Sequence, residues 1–328
     1  MKFRDTDYVY ATMRIRANEK SLLTSSQISR MVDAKTPEEA AKILAEAGYP
    51  EVSARSFSDV CQSISKMQEQ AISLVAEISE NSALKDVFLL KYDFHNIKAI
   101  LKAQITGENP EHIMSRFSTV PPSDLISAVR LGDFSNIPKK MAEAISVAAE
   151  KLSHTRNPQI SDFVLDAACF DMMLDEAKAS GSEFLLGYAK LMCDAANIRT
   201  AVRVRRRNLG NDILESAYVP GGNVELSELL SNDLASAYGS SPLLGAAEIS
   251  DLVSRGEVGF TEFERELDNS LIAYMREARY VSFNEKPLVA YLAAKETEAQ
   301  TVRIIMAGKF ENLSPEQIRI RLRGINNG

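Results

Sequence analysis

One seven-residue pattern occurs three times along the 328-residue chain, and it constrains the fold more than any other feature of the sequence. Each copy has an acid, a small polar residue three positions later and a base five positions later. The copies are Asp93, Asn96 and Lys98; Asp194, Asn197 and Arg199; and Glu298, Thr301 and Arg303. The acids are 101 and 104 residues apart (194 − 93 and 298 − 194). A period near one hundred residues has the size of a small domain and not of a solenoid repeat. The sequence therefore predicts a triplicated protein.

Helical periodicity surrounds every copy of the pattern, and no stretch alternates convincingly as a strand does. Apolar residues between Val60 and Ile78 recur at spacings of three and four, which is typical of a long amphipathic helix. Helix-start signals include Thr36 followed by Pro37. We predict an all-α protein with three similar helical-bundle domains, at residues 1–115, 116–215 and 216–328. The long repeat helices are expected at about 83–105, 183–208 and from 284–287 onward.

Two further local patterns make specific predictions. Thr261-Glu262-Phe263-Glu264 has the spacing of a capping box and predicts the start of a helix that reaches about Val281. Residues 217–241 form the loosest region of the sequence, with Pro220-Gly221-Gly222-Asn223 and Tyr238-Gly239-Ser240-Ser241-Pro242 as expected loops.

Short turn sequences after the repeat helices support the triplication. Asn109-Pro110 follows the first helix and Ser314-Pro315 follows the third. Val120-Pro121 resembles Val219-Pro220, so we expect Val120 and Val219 to occupy equivalent positions.

Composition excludes several classes of protein. The chain has 45 acids against 38 bases and a net charge of −7, which argues against nucleic-acid binding. Three cysteines without paired spacing indicate a reducing compartment. No segment has the roughly 18 apolar residues of a membrane span, and the first residues do not resemble a signal peptide. We expect a cytoplasmic chain that can still dock on a membrane complex.

The bases of the repeat can be interpreted in two ways. A helix turns about 100° per residue, which places Lys98, Arg199 and Arg303 on the apolar side of their helices. In the structural interpretation, which we favour, the three acids receive bases or helix-start amides from neighbouring helices and fix their packing. In the alternative, the bases face a central cavity and hold an acidic partner.

The sequence contains no catalytic constellation. Its three histidines are too scattered for a metal site, and Pro220-Gly221-Gly222-Asn223 lacks the Lys-Ser or Lys-Thr of a phosphate loop, so we interpret it as a turn. We predict no catalytic, cofactor-binding or metal-binding residues. The bases Arg203, Arg205, Arg206 and Arg207 complement the dipole of a helix C-terminus. They could also form a patch for an acidic protein or lipid headgroups, so Arg199, Arg203 and Arg206 are the candidates for partner binding.

The chain resembles the C subunits of archaeal and bacterial A/V-type ATPases (ATP synthases), whose eukaryotic relative is the d subunit of the V-type ATPase. The resemblance covers nearly the whole chain. It rests on Tyr8-Val9-Tyr10-Ala11 with Arg14-Ile15-Arg16, Leu22-Leu23, the repeated helices, the Val219-Pro220-Gly221-Gly222 turn and the stretch from Glu298 to Lys309. The third copy departs from the pattern, since Thr301 stands where Asn is expected.

The resemblance implies three helical domains arranged as a funnel around a pseudo-threefold axis. It implies a non-catalytic rotor subunit, a socket that links the central-stalk subunits to the membrane proteolipid ring on the cytoplasmic face and transmits torque for ATP-coupled proton or sodium transport. Two alternatives stay open on the residues alone. One is a helical adaptor for another partner; the other is a helical enzyme that uses Asp93 or Asp194 with a nearby histidine.

Overall fold

A computed structural model describes residues 4–50, 52–231 and 233–324, and within these ranges the chain forms helices and no strand. The α-helices in chain order are α1 (Val9–Asn18), α2 (Ser25–Asp33), α3 (Pro37–Glu46), α4 (Phe57–Ile78), α5 (Ala83–Thr106), α6 (Pro122–Leu131), α7 (Lys139–Thr155), α8 (Pro158–Ser180), α9 (Glu183–Arg206), α10 (Asn211–Ala217), α11 (Leu226–Leu229), α12 (Leu234–Ala237), α13 (Leu244–Ser254), α14 (Phe260–Arg276), α15 (Lys286–Phe310) and α16 (Pro315–Arg321). Short 3₁₀ turns lie at Asp5–Tyr8, Glu19–Ser21, Pro110–His112 and Glu277–Tyr280. The all-α prediction is confirmed.

The three repeat helices are the long helices α5, α9 and α15. The observed bounds of α5 and α9 lie within two residues of the predicted ones, and α15 starts within the predicted range 284–287. None of the helices in the described ranges combines the length and the apolar composition that crossing a membrane requires.

Several helices begin as their sequences predict. The Thr36 hydroxyl accepts the Glu39 N–H before α3, and Pro37 takes the first helical position. Gly48 follows α3 with a φ of +86°, a left-handed conformation that favours glycine.

The predicted capping box at Thr261 is wrong. Helix α14 starts one residue earlier, at Phe260, and its N-cap is Gly259, whose backbone is extended. Thr261 is therefore the second residue of the helix and is not its N-cap. The Phe260 and Phe263 rings, 5.6 Å apart, lie one turn apart on the same side of the helix.

Residues 217–241 contain more helix than the sequence predicted. Helix α11 opens with a cap in which the Glu228 side chain accepts the Glu225 N–H at 3.0 Å, while the Glu225 carbonyl accepts the Glu228 N–H at 3.0 Å. Helix α12 follows it, and the apolar residues Leu229 and Leu234 are buried. These two buried leucines give the one-turn helices the packing that their short length cannot provide by itself.

The chain forms two compact units. One unit comprises residues 83–258. In it, α5 and α7 pack along α8, and α9 packs against both α8 and α13. The fully buried side chains include Phe94, Ile97 and Ile198 on the repeat helices and Leu165 on α8.

The other unit combines the two ends of the chain, residues 1–82 and 259–328. Its centre is α15, which packs against α4, α14 and α1. Buried residues from both ends form its core, among them Met31, Leu44, Ile64, Val302 and Ile305. The third repeat helix is therefore enclosed by helices that come from the beginning of the sequence.

Candidate functional site

The acid of the first repeat holds the loop that precedes α6. Asp93 is fully buried on α5. Its carboxylate accepts the N–H groups of Thr119 at 3.0 Å and Val120 at 3.2 Å, and the Thr119 hydroxyl donates to it at 2.7 Å. Because the loop's amides have no helical partner before α6 begins, the carboxylate replaces the water that would otherwise satisfy them.

The acid of the second repeat does the same for the loop before α11. Asp194, also fully buried, accepts the N–H groups of Asn223 at 2.8 Å and Val224 at 3.2 Å, and the Asn223 side-chain amide donates at 2.8 Å. The loop approaches so closely that a Cβ on Gly222 would lie 2.2 Å from Asp194 Oδ1. Gly222 is thus required by this contact, which the interpretation of its segment as a turn did not foresee.

The asparagine of the first two copies holds a second point of the same loop. Asn96 donates to the carbonyl of Ser115 at 2.9 Å and accepts its N–H at 2.7 Å. Asn197 binds Val219 in the same way, at 2.8 and 2.9 Å. An asparagine side chain carries one carbonyl and one amide group, so it can satisfy both polar groups of one residue.

These contacts correct the expected register between the first two copies. The residue held by asparagine precedes the pair held by the acid by four and five positions in both loops (115 to 119 and 120, 219 to 223 and 224). Ser115 is therefore equivalent to Val219, and Val120 to Val224. The predicted equivalence of Val120 and Val219 is wrong, because the second loop is longer by three residues, with 22 positions between its asparagine and the held residue against 19 in the first.

The third acid holds a loop from the other end of the chain. Glu298 accepts the Leu23 N–H at 2.5 Å across 275 positions of sequence, and Leu23 lies just before α2 as Val120 lies just before α6. The Tyr49 hydroxyl donates to Glu298 at 2.8 Å and the Lys295 ammonium donates at 2.9 Å. Thr301, which replaces asparagine, is buried beside it. A threonine hydroxyl cannot bracket a residue's N–H and C=O as an amide does.

Each repeat helix carries a further holding residue eleven positions after the acid. Gln104 donates to the Val129 carbonyl of α6 at 3.1 Å. Arg205 donates to the Leu229 carbonyl of α11 at 3.0 Å and also to the Ser231 carbonyl. Lys309 donates to the carbonyls of Val32 and Ala34, at 2.5 and 2.6 Å, where α2 ends. The last carbonyls of a helix lack internal partners, so these donors cap the helix end.

The three long helices therefore share one arrangement. We call α5, α9 and α15 the anchor helices and α6, α11 and α2 the held helices. On each anchor helix the acid binds the loop before the held helix, and the residue eleven positions later caps its end. Eleven residues of helix span about 16 Å, which matches α2 and α6, helices of two to three turns. Helix α11 has a single turn, and Arg205 donates to the Ser231 carbonyl beyond it as well. The third module is split, because its anchor helix and its held helix come from opposite ends of the chain.

Two bases of the pattern, Lys98 and Arg303, bind the long helix that packs on their anchor helix. The Lys98 ammonium lies 2.5 Å from Asp166 on α8, and Arg303 donates to Gln68 on α4 at 2.8 Å. Arg199 is half-buried. Lys98 and Arg303 therefore take part in the packing of their own units.

Burial dominates the electrostatics of the first two acids. It raises the pKa of Asp93 to about 6, against the lowering effect of the donors on Thr119 and Val120. It also raises the pKa of Asp194, which the donors on Asn223 and Val224 oppose. The carboxylate oxygens of Asp93 and Asp194 accept hydrogen bonds from loop amides. Both acids therefore have a structural role and do not point toward a substrate.

The histidine nearest to an acid of the pattern in the sequence is also engaged. His95 is exposed, and its Nε2 lies 2.9 Å from the Ile113 carbonyl. In the part of the chain that the structure describes, no three His, Cys, Asp or Glu side chains are grouped as a metal site.

The basic run at the end of α9 divides into two parts. Arg205 turns inward to cap α11, and burial lowers its pKa. Arg203, Arg206 and Arg207 are exposed. This exposed group, with Arg199 one turn earlier, is where the structure places the predicted partner-binding residues.

Comparison with known proteins gives consistent matches. The sequence model of the family described as "ATP synthase (C/AC39) subunit" matches residues 11–321. The V-type sodium ATPase C subunit of Enterococcus hirae is 23% identical over 322 residues, covering 95% of this chain and 96% of that protein. The A-type ATP synthase C subunit of Methanocaldococcus jannaschii is 22% identical, covering 95% and 85%. The V-type ATP synthase C subunit of Thermus thermophilus is 22% identical, covering 95% and 97%.

Proposed function

The chain belongs to the ATP synthase (C/AC39) subunit family, and we therefore propose that it is the socket between the central stalk and the membrane rotor ring. It is a non-catalytic subunit of a rotary ATPase complex. In the proposed role it sits on the cytoplasmic face of the ring, binds the tip of the stalk and passes torque between them.

Support for the proposal comes from the repeated holding of both ends of a helix by an anchor helix. Torque is lost when a coupling element deforms, so a coupling subunit benefits from fixed internal joints. Asp93, Asp194 and Glu298 are buried and engaged by two or more donors each. Fully satisfied buried polar networks make a fold rigid and specify one packing.

For the stalk contact we propose the exposed end of α9. Arg203 and Arg206 are exposed there, and Arg199 lies one turn earlier. A cluster of like charge attracts an acidic partner over a distance and speeds its association. We therefore assign an acidic stalk tip to this cluster, whereas Arg205 is already committed to α11.

The test is a binding assay of the full chain against the candidate stalk subunits and the purified proteolipid ring. We expect binding to both. The double variant Arg203→Glu/Arg206→Glu should weaken stalk binding by about tenfold at low salt, and the difference should shrink as salt screens the charges. Arg116→Glu is the matched control, because Arg116 is an exposed base in the loop before α6.

Two outcomes would contradict the proposal. Equal stalk affinity in the wild type and the double variant would remove Arg203 and Arg206 from the interface. Failure of the chain to bind either the stalk subunits or the ring would instead favour a helical adaptor for another partner.

A further inference from the structure

A cavity lies in the unit of residues 83–258, beside the cap that Arg205 provides for α11. Its volume is about 330 Å³, and its walls come from the end of α9, the start of α10, the end of α11 and α13. The apolar part of its lining is Val204, Leu214, Leu229 and Leu230, and the polar part is Arg205, Asn211 and Asp251. The first three of these apolar residues are buried, whereas Asn211 and Asp251 are exposed. The cavity thus has an apolar floor and a polar rim.

The cation in the lining is already engaged by the protein. Arg205 donates to the Leu229 carbonyl at 3.0 Å and also to the Ser231 carbonyl. Its Nη1 lies 3.8 Å from Asp251, whose side chain is 55% exposed. A charged hydrogen bond is shorter, at about 2.7–2.9 Å. In the part of the chain that the structure describes, the Asp251 carboxylate therefore has no short ion pair.

Two more carboxylates lie toward the rim. Glu215 lies about 40° around α10 from Asn211, and Glu248 lies about 60° around α13 from Asp251. Both glutamates are exposed. Three acids therefore border the mouth of the cavity.

The neighbouring bases do not cancel this charge. Arg255, one turn after the α13 residue of the rim, pairs with Glu257 at 2.7 Å. Arg203, Arg206 and Arg207 lie about 110–150° around α9 from the midpoint of the two α9 residues that line the cavity. The basic run thus lies on the far side of α9. The rim keeps three acids against the guanidinium of the lining.

The whole segment that contributes α10 to α13 is acidic. Residues 211–257 carry eight acids and one base, a net charge of −7 (1 − 8) that equals the net charge of the entire chain. The remainder of the chain is balanced, with 37 acids and 37 bases (45 − 8 and 38 − 1). The eight acids, all exposed, are Asp212, Glu215, Glu225, Glu228, Asp233, Glu248, Asp251 and Glu257. A surface field of one sign attracts a partner of the opposite charge.

We propose that this cavity binds a lysine or arginine side chain from a cytoplasmic loop of the membrane rotor ring. An apolar floor below a rim carboxylate suits such a side chain, which has an apolar stem and a charged end. Cytoplasmic loops of membrane proteins carry an excess of Lys and Arg, so the acidic segment is complementary to them. The proposal deepens the proposed function, on which it rests for the ring as partner. It leaves the acidic stalk tip to the bases on the other side of α9.

The experiment measures the affinity of the full chain for the purified proteolipid ring, with the stalk subunits measured in parallel. Asp251→Lys places a second cation at the rim and should weaken ring binding at least about tenfold, while stalk binding stays as in the wild type. Asn211→Phe leaves less room for the incoming side chain without a change of charge, and it should weaken ring binding about fivefold. Glu215→Gln/Glu248→Gln should weaken it about threefold at low salt and less at high salt.

Glu150→Lys is the matched control, because Glu150 is an exposed acid on α7 of the same unit and the change of charge is the same as in Asp251→Lys. It should bind the ring as the wild type does. Circular dichroism and stalk binding of each variant establish that the fold is retained. Undiminished ring binding in either Asp251→Lys or Asn211→Phe would overturn the proposal, as would an equal loss in Glu150→Lys.

Failure of this proposal is distinguishable from failure of the proposed function. A chain that binds stalk and ring, and binds the ring equally well after Asp251→Lys, refutes the cavity contact and leaves the socket intact. A wild-type chain that binds neither the stalk nor the ring refutes both.

Discussion

We call the modules of α5 and α9 continuous, because each held helix follows its anchor helix in the sequence. They hold their loops with different chemical groups from the split module of α15. In the continuous modules an aspartate binds two successive loop amides and no cation donates to it in the contacts described above. In the split module a glutamate binds one amide, a tyrosine hydroxyl and the Lys295 ammonium. A loop that follows its anchor helix closely in sequence loses little entropy when it is brought near, while a loop 275 positions away loses more. The stronger set of contacts lies where the chain has to join its two ends.

The largest expected effect is at the split module. Glu298→Ala leaves the Lys295 ammonium, whose side chain is 2% exposed, without its carboxylate. An unpaired buried charge costs about 3–5 kcal/mol, so we expect the free energy of unfolding to fall by about that amount in urea denaturation. Glu298→Ala/Lys295→Met is the control, and it should recover part of the loss because it removes both charges.

The pH dependence of stability should come from a continuous module. Burial raises the pKa of Asp93 to about 6, above its ordinary value near 4. The folded chain then binds more protons than the unfolded chain between about pH 4 and pH 6, so Asp93 contributes a fall in the free energy of unfolding as pH rises through that window. The fall should reach about 3 kcal/mol at most.

The comparison that isolates this contribution is the difference between the wild type and Asp93→Asn in urea denaturation at each pH. The difference should change across the window and be flat above it. A difference that is constant from about pH 4 to pH 7 would show that Asp93 has an ordinary pKa in the folded chain.

Removal of the acid from the other continuous module should have a smaller effect than removal of Glu298. Asp194→Ala leaves the amides of Asn223 and Val224 without their acceptor, and we expect a loss of roughly 1–3 kcal/mol in thermal or urea unfolding. A loss equal to that of Glu298→Ala would erase the distinction between the two kinds of module.

Substitution of the capping residues should lower the free energy of unfolding least. The loss should again be larger in the split module than in a continuous module. Lys309→Met removes a buried ammonium that donates to two carbonyls, which should cost about 1.5 kcal/mol. Gln104→Met removes one neutral hydrogen bond at an exposed position and should cost about 0.5 kcal/mol. Urea denaturation of the two variants beside the wild type measures both, and a larger loss for Gln104→Met would reverse the comparison.

Part of this arrangement could be predicted from the sequence, because the same residue types recur at the same spacing. Acid and asparagine stand three residues apart in the first two copies, so their helices and their shared role could be proposed from spacing alone. The capping residues could not, because Gln104, Arg205 and Lys309 share only the ability to donate a hydrogen bond. Their common position, eleven residues after the acid, becomes visible once the held helices are known.

The partner of the third acid was also beyond sequence reasoning. Leu23 contributes a backbone N–H, which carries no side-chain signature, and it lies at the far end of the chain. The false equivalence of Val120 and Val219 has a related cause, since a shared Val-Pro pair outweighed a three-residue difference in loop length.

Amide hydrogen exchange can show whether one module is built three times and split once. The full chain and its Glu298→Ala variant are compared in peptides that cover residues 22–34 and residues 119–131. We predict that Glu298→Ala accelerates exchange at Leu23 and along α2 while α6 exchanges as before, and that Asp93→Ala does the reverse. Unchanged protection of residues 22–34 in Glu298→Ala would contradict the split module, because α2 would then not depend on the anchor helix at the other end of the chain.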